Sequence, residues 1–306
     1  MWGAAWLRKA RYIRVHAPAE EPMHDLLNVI ALGVIEGVTE FLPISSTGHL
    51  LIAEQLGLGQ RSELFNIVIQ AGAILAVTIL YWQRVWAILR GVGQADARGS
   101  TQEPNVDVRE QSKAQRVYGL KLLLAFSITA VLGLLVKKLG FELPEQIEPV
   151  AWALILGGVA MLGAERLTAQ KPPNTQVTWL GASIVGVAQV LAGVFPGTSR
   201  SAATIFSAML SGTTDREAAT EFSFLVGIPT MYAASAYALL KQLKAGTGNE
   251  NWSDVGIAFV VSTITAFVVV RWLIRYIRTH SFGAFALYRI VLGVVLLCWG
   301  LSGSPH

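Results

Sequence analysis

From Leu26 onward, long apolar runs are separated by short polar stretches. Measured against the roughly 20 residues that a spanning helix needs, the runs 64–82, 119–136, 149–164, 219–240, 255–274 and 284–301 each predict a membrane-spanning helix. Runs 26–42 and 44–58 are short and only Pro43 divides them, with no room for a polar loop. Because proline lacks an N–H and clashes with the preceding turn, they predict the two limbs of a re-entrant hairpin. The same short-break-short pattern returns at 179–195 and 201–210, around Pro196 and Gly197. Residues 83–116 read as a polar loop, partly disordered or surface-bound, and 137–148 as a shorter connector. Residues 1–22 carry Arg8, Lys9, Arg11 and Arg14 but no apolar core suited to a signal peptide. They read as a basic appendage before a single transmembrane domain, 23–306.

Two broken hairpins, each followed by three spans, predict an internal repeat of about 23–166 and 167–306. GVIEGVTEFLPISSTGHL (33–50) lies over GVAQVLAGVFPGTSRSAA (186–203), which sets Glu36 on Gln189, Pro43 on Pro196 and Ser46 on Ser199. Each half has an odd number of spans, and its hairpin returns to its own side, so the second half enters the membrane upside down. The expected fold is therefore all-α and integral to the membrane: an inverted-topology repeat with six spanning helices plus two re-entrant helix-loop-helix hairpins meeting near the midplane.

Composition supports this class. Of 306 residues, 53% are hydrophobic and 14% charged, whereas a soluble domain carries about 25% charge. The net charge of +4 fits basic loops against anionic lipid and calls for no nucleic acid. One cysteine, Cys298, excludes an internal disulfide and a thiolate metal cage. The loops 83–118, 165–178, 211–218 and 271–283 hold most of the Arg and Lys, so the positive-inside rule makes that side cytoplasmic. The first hairpin then opens to the outer face.

Charged and nucleophilic residues inside the apolar runs mark the chemistry. Glu36 and Glu40, four apart, share one helix face, and Ser45, Ser46, Thr47 and His49 follow the break at Pro43. Two uncompensated carboxylates in one buried place need a cation, a proton or an arginine between them. Beside the second break, Arg200 is flanked by Ser199, Ser201 and Thr204. A guanidinium in an apolar region demands an anion, and its planar fork suits phosphate. A plain ion pair of Arg200 with Glu36 or Glu40 is the simpler reading, but it needs none of the surrounding hydroxyls. Glu221 reads as a helix N-terminal acid or a further site residue, and Arg271, Arg275 and Arg278 as a cytoplasmic anchor. These residues by themselves point to an anion site near the midplane. A transporter or flippase of a phosphorylated lipid or small anion is the competing reading.

The combination EGVTEFLPISSTGH with PGTSRSAAT resembles the undecaprenyl-diphosphate phosphatase family, the bacitracin-resistance type of integral membrane phosphatase. The resemblance covers residues 23–301. It implies hydrolysis of undecaprenyl diphosphate to the monophosphate lipid carrier, at a site open to the periplasmic face of the bacterial inner membrane. Carried over residue by residue, it implies catalytic roles for Glu36, Glu40, Ser46, His49 and Arg200. It implies substrate binding by Ser45, Thr47, Gly197, Ser199, Ser201 and Thr204. Substrate charge and the resemblance together suggest Mg²⁺ or Ca²⁺ on Glu36 and Glu40, with no organic cofactor. The partners expected are the polyprenyl diphosphate and membrane lipid, and a homodimer is left open. Two routes stand: attack by Ser46 through a phosphoserine, or water activated by His49 and Glu40.

Overall fold

The computed structural model describes residues 22–93, 106–139, 147–245 and 251–301. Residues 1–21 of the predicted appendage, and 94–105 and 140–146 of the predicted connectors, lie outside them. The described residues form α-helices and no strand. In chain order these are α1 (Pro22–Thr39), α2 (Ser46–Ala53), α3 (Glu63–Leu80), α4 (Trp82–Gly93), α5 (Val106–Lys138), α6 (Ile147–Ala169), α7 (Trp179–Val194), α8 (Arg200–Leu210), α9 (Arg216–Ala245), α10 (Trp252–Ile277) and α11 (Gly283–Leu301). One wider helical turn, Glu54–Leu58, extends α2.

Helices α3, α5, α6, α9 and α10 are long and apolar enough to cross a membrane. The sixth predicted span, α11, is apolar over Gly283–Trp299 and falls just short of them in length. Leu123, Val131, Leu134, Leu156, Val260, Ile264, Val268 and Val291 stand exposed on these helices. An outward face so apolar suits lipid rather than water.

At both ends of the predicted loop 83–116 the described residues are helical. Residues 82–93 form α4, whose Ile88 is buried against the bundle while Arg90 lies 5.2 Å from the Trp86 ring centre. Residues 106–116 belong to the first turns of α5. The stretch 82–93 is amphipathic, so a polar average concealed a helical apolar stripe there.

Helices from before and after the α6–α7 connection pack on one another: α1 lies along α10, and α7 along α5. The pairs α3 with α9 and α6 with α11 also face each other. Close approach depends on small residues: a Cβ on Gly37 would stand 2.7 Å from the Ser262 carbonyl, and one on Gly186 2.6 Å from that of Ala125. Hydroxyls then tie backbones together, Ser262 donating to Ile69 O at 2.8 Å and Thr129 to Gly186 O at 2.9 Å.

Ion pairs gather at the ends of helices. Arg216 makes two bonds to Glu165, Arg84 pairs with Glu221, and Arg278 with Glu217. All three pairs draw on the loop group richest in Arg and Lys. Elsewhere, Arg61 pairs with Asp25. Glu221 is thus committed to Arg84 and is no part of the candidate site.

Candidate active site

The first break begins earlier than Pro43. α1 ends at Thr39, whose hydroxyl turns back to Ile35 O at 2.7 Å, and Glu40–Ile44 make the turn. Then α2 starts with Ser45 as its cap, its hydroxyl accepting from Gly48 N at 3.4 Å. The second break ends in the same way, Ser199 accepting from Ala202 N at 3.3 Å. Both caps hold a left-handed backbone rare for serine, φ 76° and ψ 98° at Ser45, φ 68° and ψ 112° at Ser199. Such conformations cost on the order of 1–3 kcal/mol and persist where the surroundings impose them.

This shared geometry corrects the predicted register. Ser45, not Ser46, corresponds to Ser199, because the second break has one more residue between its proline and its cap. Consequently Ser46 corresponds to Arg200: each is the first residue of a half-helix. Both reach the same carboxylate. Ser46 Oγ donates to Glu40 Oε2 at 2.5 Å, and the Arg200 guanidinium pairs with Glu40 Oε1. Glu40 is buried, so this ion pair is weakly screened.

The other predicted residues surround that centre unequally. Ser201 Oγ donates to Leu42 O at 2.9 Å, joining one break to the other, and lies 3.1 Å from Ser199 Oγ. Thr204 is buried with its hydroxyl turned onto Arg200 O at 2.8 Å. Thr47 is exposed on the first turn of α2. Gly197 has φ 91°, and a side chain there would strike the Val150 carbonyl. Glu36 is buried beside Glu40, its Oε1 without a hydrogen-bond partner. His49 does not hold Ser46. Its Nδ1 donates to Ser45 O at 2.7 Å, leaving Nε2 to accept from Tyr288 OH at 2.6 Å. A carbonyl only accepts, which fixes this tautomer for the neutral ring.

Arg289 on α11 was missed by the sequence reading. Fully buried, it donates to Gly197 O at 3.0 Å, Ala153 O at 3.1 Å and Pro43 O at 3.4 Å. One guanidinium therefore holds the carbonyls of both breaks. Gly157 makes room for it, since a Cβ there would lie 2.1 Å from the guanidinium. The available signal was a lone arginine inside an apolar run, as costly as Arg200 but without neighbouring hydroxyls. Arg289→Met is expected to destabilise the protein by about 3 kcal/mol, since it takes the donor from the carbonyls of Pro43 and Gly197 in the two breaks. A lowered midpoint of thermal unfolding in detergent checks it, and a wild-type midpoint would contradict it.

For a divalent cation, the oxygens on hand are the free Oε1 of Glu36 and whatever Glu40 has left after Ser46 and Arg200. Among the described residues, no group of three or more His, Cys, Asp or Glu side chains gathers. The residues fit a cation only if a ligand supplies further oxygens.

A half-buried serine and an arginine on one buried carboxylate, each at a helix N-terminus, suit phosphoryl chemistry. The profile of the family described as "Bacitracin resistance protein BacA" matches residues 29–295. The chain belongs to the BacA family. Its match takes in every residue of the site, from Glu36 to Arg289. Among similar BacA relatives is an undecaprenyl-diphosphatase of Rhizobium johnstonii, 59% identical over 280 residues, which cover 91% of this chain and 98% of that protein. One of Rhizobium etli is 60% identical over the same shares. Another, from Xanthomonas oryzae pv. oryzae, is 56% identical over 90% of this chain and 98% of its own.

Proposed function

We propose that this chain hydrolyses undecaprenyl diphosphate to undecaprenyl phosphate and inorganic phosphate, recycling the lipid carrier of cell-wall polysaccharide synthesis and so conferring bacitracin resistance. The observation that carries this reading is the grip of Glu40 on both Ser46 and Arg200. Glu40 is placed to take the Ser46 proton as Oγ attacks the terminal phosphorus. Arg200 and the free N–H groups opening α2 and α8 offer charge and dipole to the phosphate oxygens. The leaving group is undecaprenyl phosphate, and water then frees phosphate from Ser46. Ser45, Thr47, Gly197, Ser199, Ser201 and Thr204 shape the diphosphate pocket. His49, tied to Ser45 and Tyr288, orients the first turn of α2 and is available for proton exchange as the substrate enters. A transporter has no need of a serine held on a carboxylate. The deciding experiment is phosphate release from undecaprenyl diphosphate by pure protein in detergent, where no gradient exists. No release above a Ser46→Ala control would reject the enzyme reading.

The same proposal places six spans and two re-entrant hairpins in an inverted repeat of 23–166 and 167–306. Its support is the exchange of packing partners between the halves. The charge bias of the loops supports an active site open to the outer face of the inner membrane. It also assigns Mg²⁺ or Ca²⁺ to Glu36 and Glu40 together with diphosphate oxygens, where the cation would offset charge on the phosphate. Glu40→Gln is expected to lower turnover about 10²-fold or more, as loss of a general base does. Exhaustive chelation should do the same to the unchanged protein. Full activity in chelator, with Glu40→Gln still inactive, would remove the metal and leave Glu40 as base alone.

A further inference from the structure

Gln189 on α7 stands in the second half where Glu36 stands in the first. It is 3% exposed. Its Nε2 donates to Thr129 Oγ1 at 3.0 Å, and that hydroxyl spends its one proton on the carbonyls of Ala125 and Gly186, both at 2.9 Å. Thr129 can therefore only accept from Gln189, which fixes which end of the amide is oxygen. The amide oxygen is left buried with no donor. Gln189 also lines a cavity of about 20 Å³ together with Glu40, Arg200, Ser201 and Thr204. That is room for about one water, on a wall where Phe41, Phe224 and Met231 are apolar and Gln189, Glu40 and the hydroxyls of Ser201 and Thr204 supply the polar partners.

We propose that Gln189 Oε1 and Glu40 hold the water that releases phosphate from the enzyme. The inference rests on the phosphatase reading above and adds a residue to it. The water donates one proton to Gln189 Oε1 and turns a lone pair toward the phosphorus. As its oxygen bonds to phosphorus, the bond from phosphorus to Ser46 Oγ breaks. Glu40, having passed the Ser46 proton to the departing undecaprenyl phosphate, takes the water's other proton and returns it to Ser46 Oγ, so it ends the cycle as a carboxylate. Inorganic phosphate departs, and the Ser46 to Glu40 hydrogen bond is restored.

The test compares Gln189→Leu, which keeps bulk and removes the acceptor, with Gln189→Glu, which keeps an acceptor as Glu36 does. Substrate labelled in the terminal phosphate is turned over in detergent and quenched in acid. For Gln189→Leu the expected result is a burst of undecaprenyl phosphate at the wild-type rate, with label retained on the protein. Steady-state turnover should fall about 10- to 100-fold with a lower KM, the size of effect a lost proton-handling contact produces. Gln189→Glu should recover most of the loss. Three results would overturn the proposal: turnover near wild type in the Leu variant, loss of the burst along with the steady state, or recovery on raising Mg²⁺ or Ca²⁺, which would make Gln189 a metal ligand. Ser46→Ala is measured alongside, so failure of the covalent route is seen separately. If that variant still turns over, the share of phosphate passed to added methanol instead of water decides. A rise in that share in Gln189→Leu supports a held water, and an unchanged share overturns it.

Discussion

Ser46→Ala is expected to lower the rate of phosphate release by roughly 10³-fold or more, the scale on which loss of a nucleophile is felt. The substitution removes one oxygen, half-buried at the first position of α2. Its hydrogen bond goes to Glu40, which keeps Arg200 as partner, so the charge balance and the fold should survive. Substrate affinity is then expected to stay within a few-fold of the wild type. Stereochemistry separates the two routes further. Two displacements, first by Ser46 and then by water, invert phosphorus twice and return retention. Substrate made chiral at the terminal phosphorus with sulfur and oxygen isotopes would read this directly. Substantial turnover in the alanine variant, or inversion in the unchanged protein, would replace Ser46 by water as the attacking group.

Much of this arrangement is legible in the sequence, for a physical reason. A charge or a helix break inside a 20-residue apolar run is costly, so Glu36, Glu40, Pro43, Pro196 and Arg200 stand out. The meeting of the two breaks was legible because both interrupt corresponding places in two similar halves. What could not be read was their fine register. Pairing the prolines set Ser46 on Ser199, whereas the caps show Ser45 with Ser199, a one-residue difference visible only in the left-handed φ of both serines. Because of that slip, the correspondence of Ser46 with Arg200 through Glu40 was hidden.

The partners of His49 and Arg289 were hidden for opposite reasons. His49 follows Ser46 by three residues, and proximity along the chain suggested proton exchange with it. Helix α2 instead turns the imidazole onto its own cap and onto Tyr288 of α11, 239 residues away. Arg289 sits on that same helix with no motif around it. Its partners are backbone carbonyls, and a carbonyl's availability does not appear in a residue pattern. The two residues of α11 that matter, Tyr288 and Arg289, thus depend on tertiary placement alone.

Arg200→Lys is expected to cost about 10²-fold or more in kcat/KM, about 3 kcal/mol of transition-state stabilisation. It should leave thermal stability close to that of the unchanged protein. The argument turns on the two tasks of one guanidinium. Toward Glu40 it makes an ion pair through one terminal nitrogen, and an ammonium can keep that pairing. Toward a diphosphate it is asked for a planar fork with several donors, which lysine does not have. Lysine also lacks the reach to serve Glu40 and substrate at once, because one compact charge must choose between them. The substitution consequently divides the plain ion pair from the anion clamp. Loss of turnover with an unchanged unfolding midpoint supports the clamp, with KM rising as ground-state phosphate contacts weaken. Wild-type turnover in Arg200→Lys would mean that Arg200 serves only to neutralise Glu40, and the hydroxyls of Ser199 and Ser201 would then have to bind the diphosphate without it.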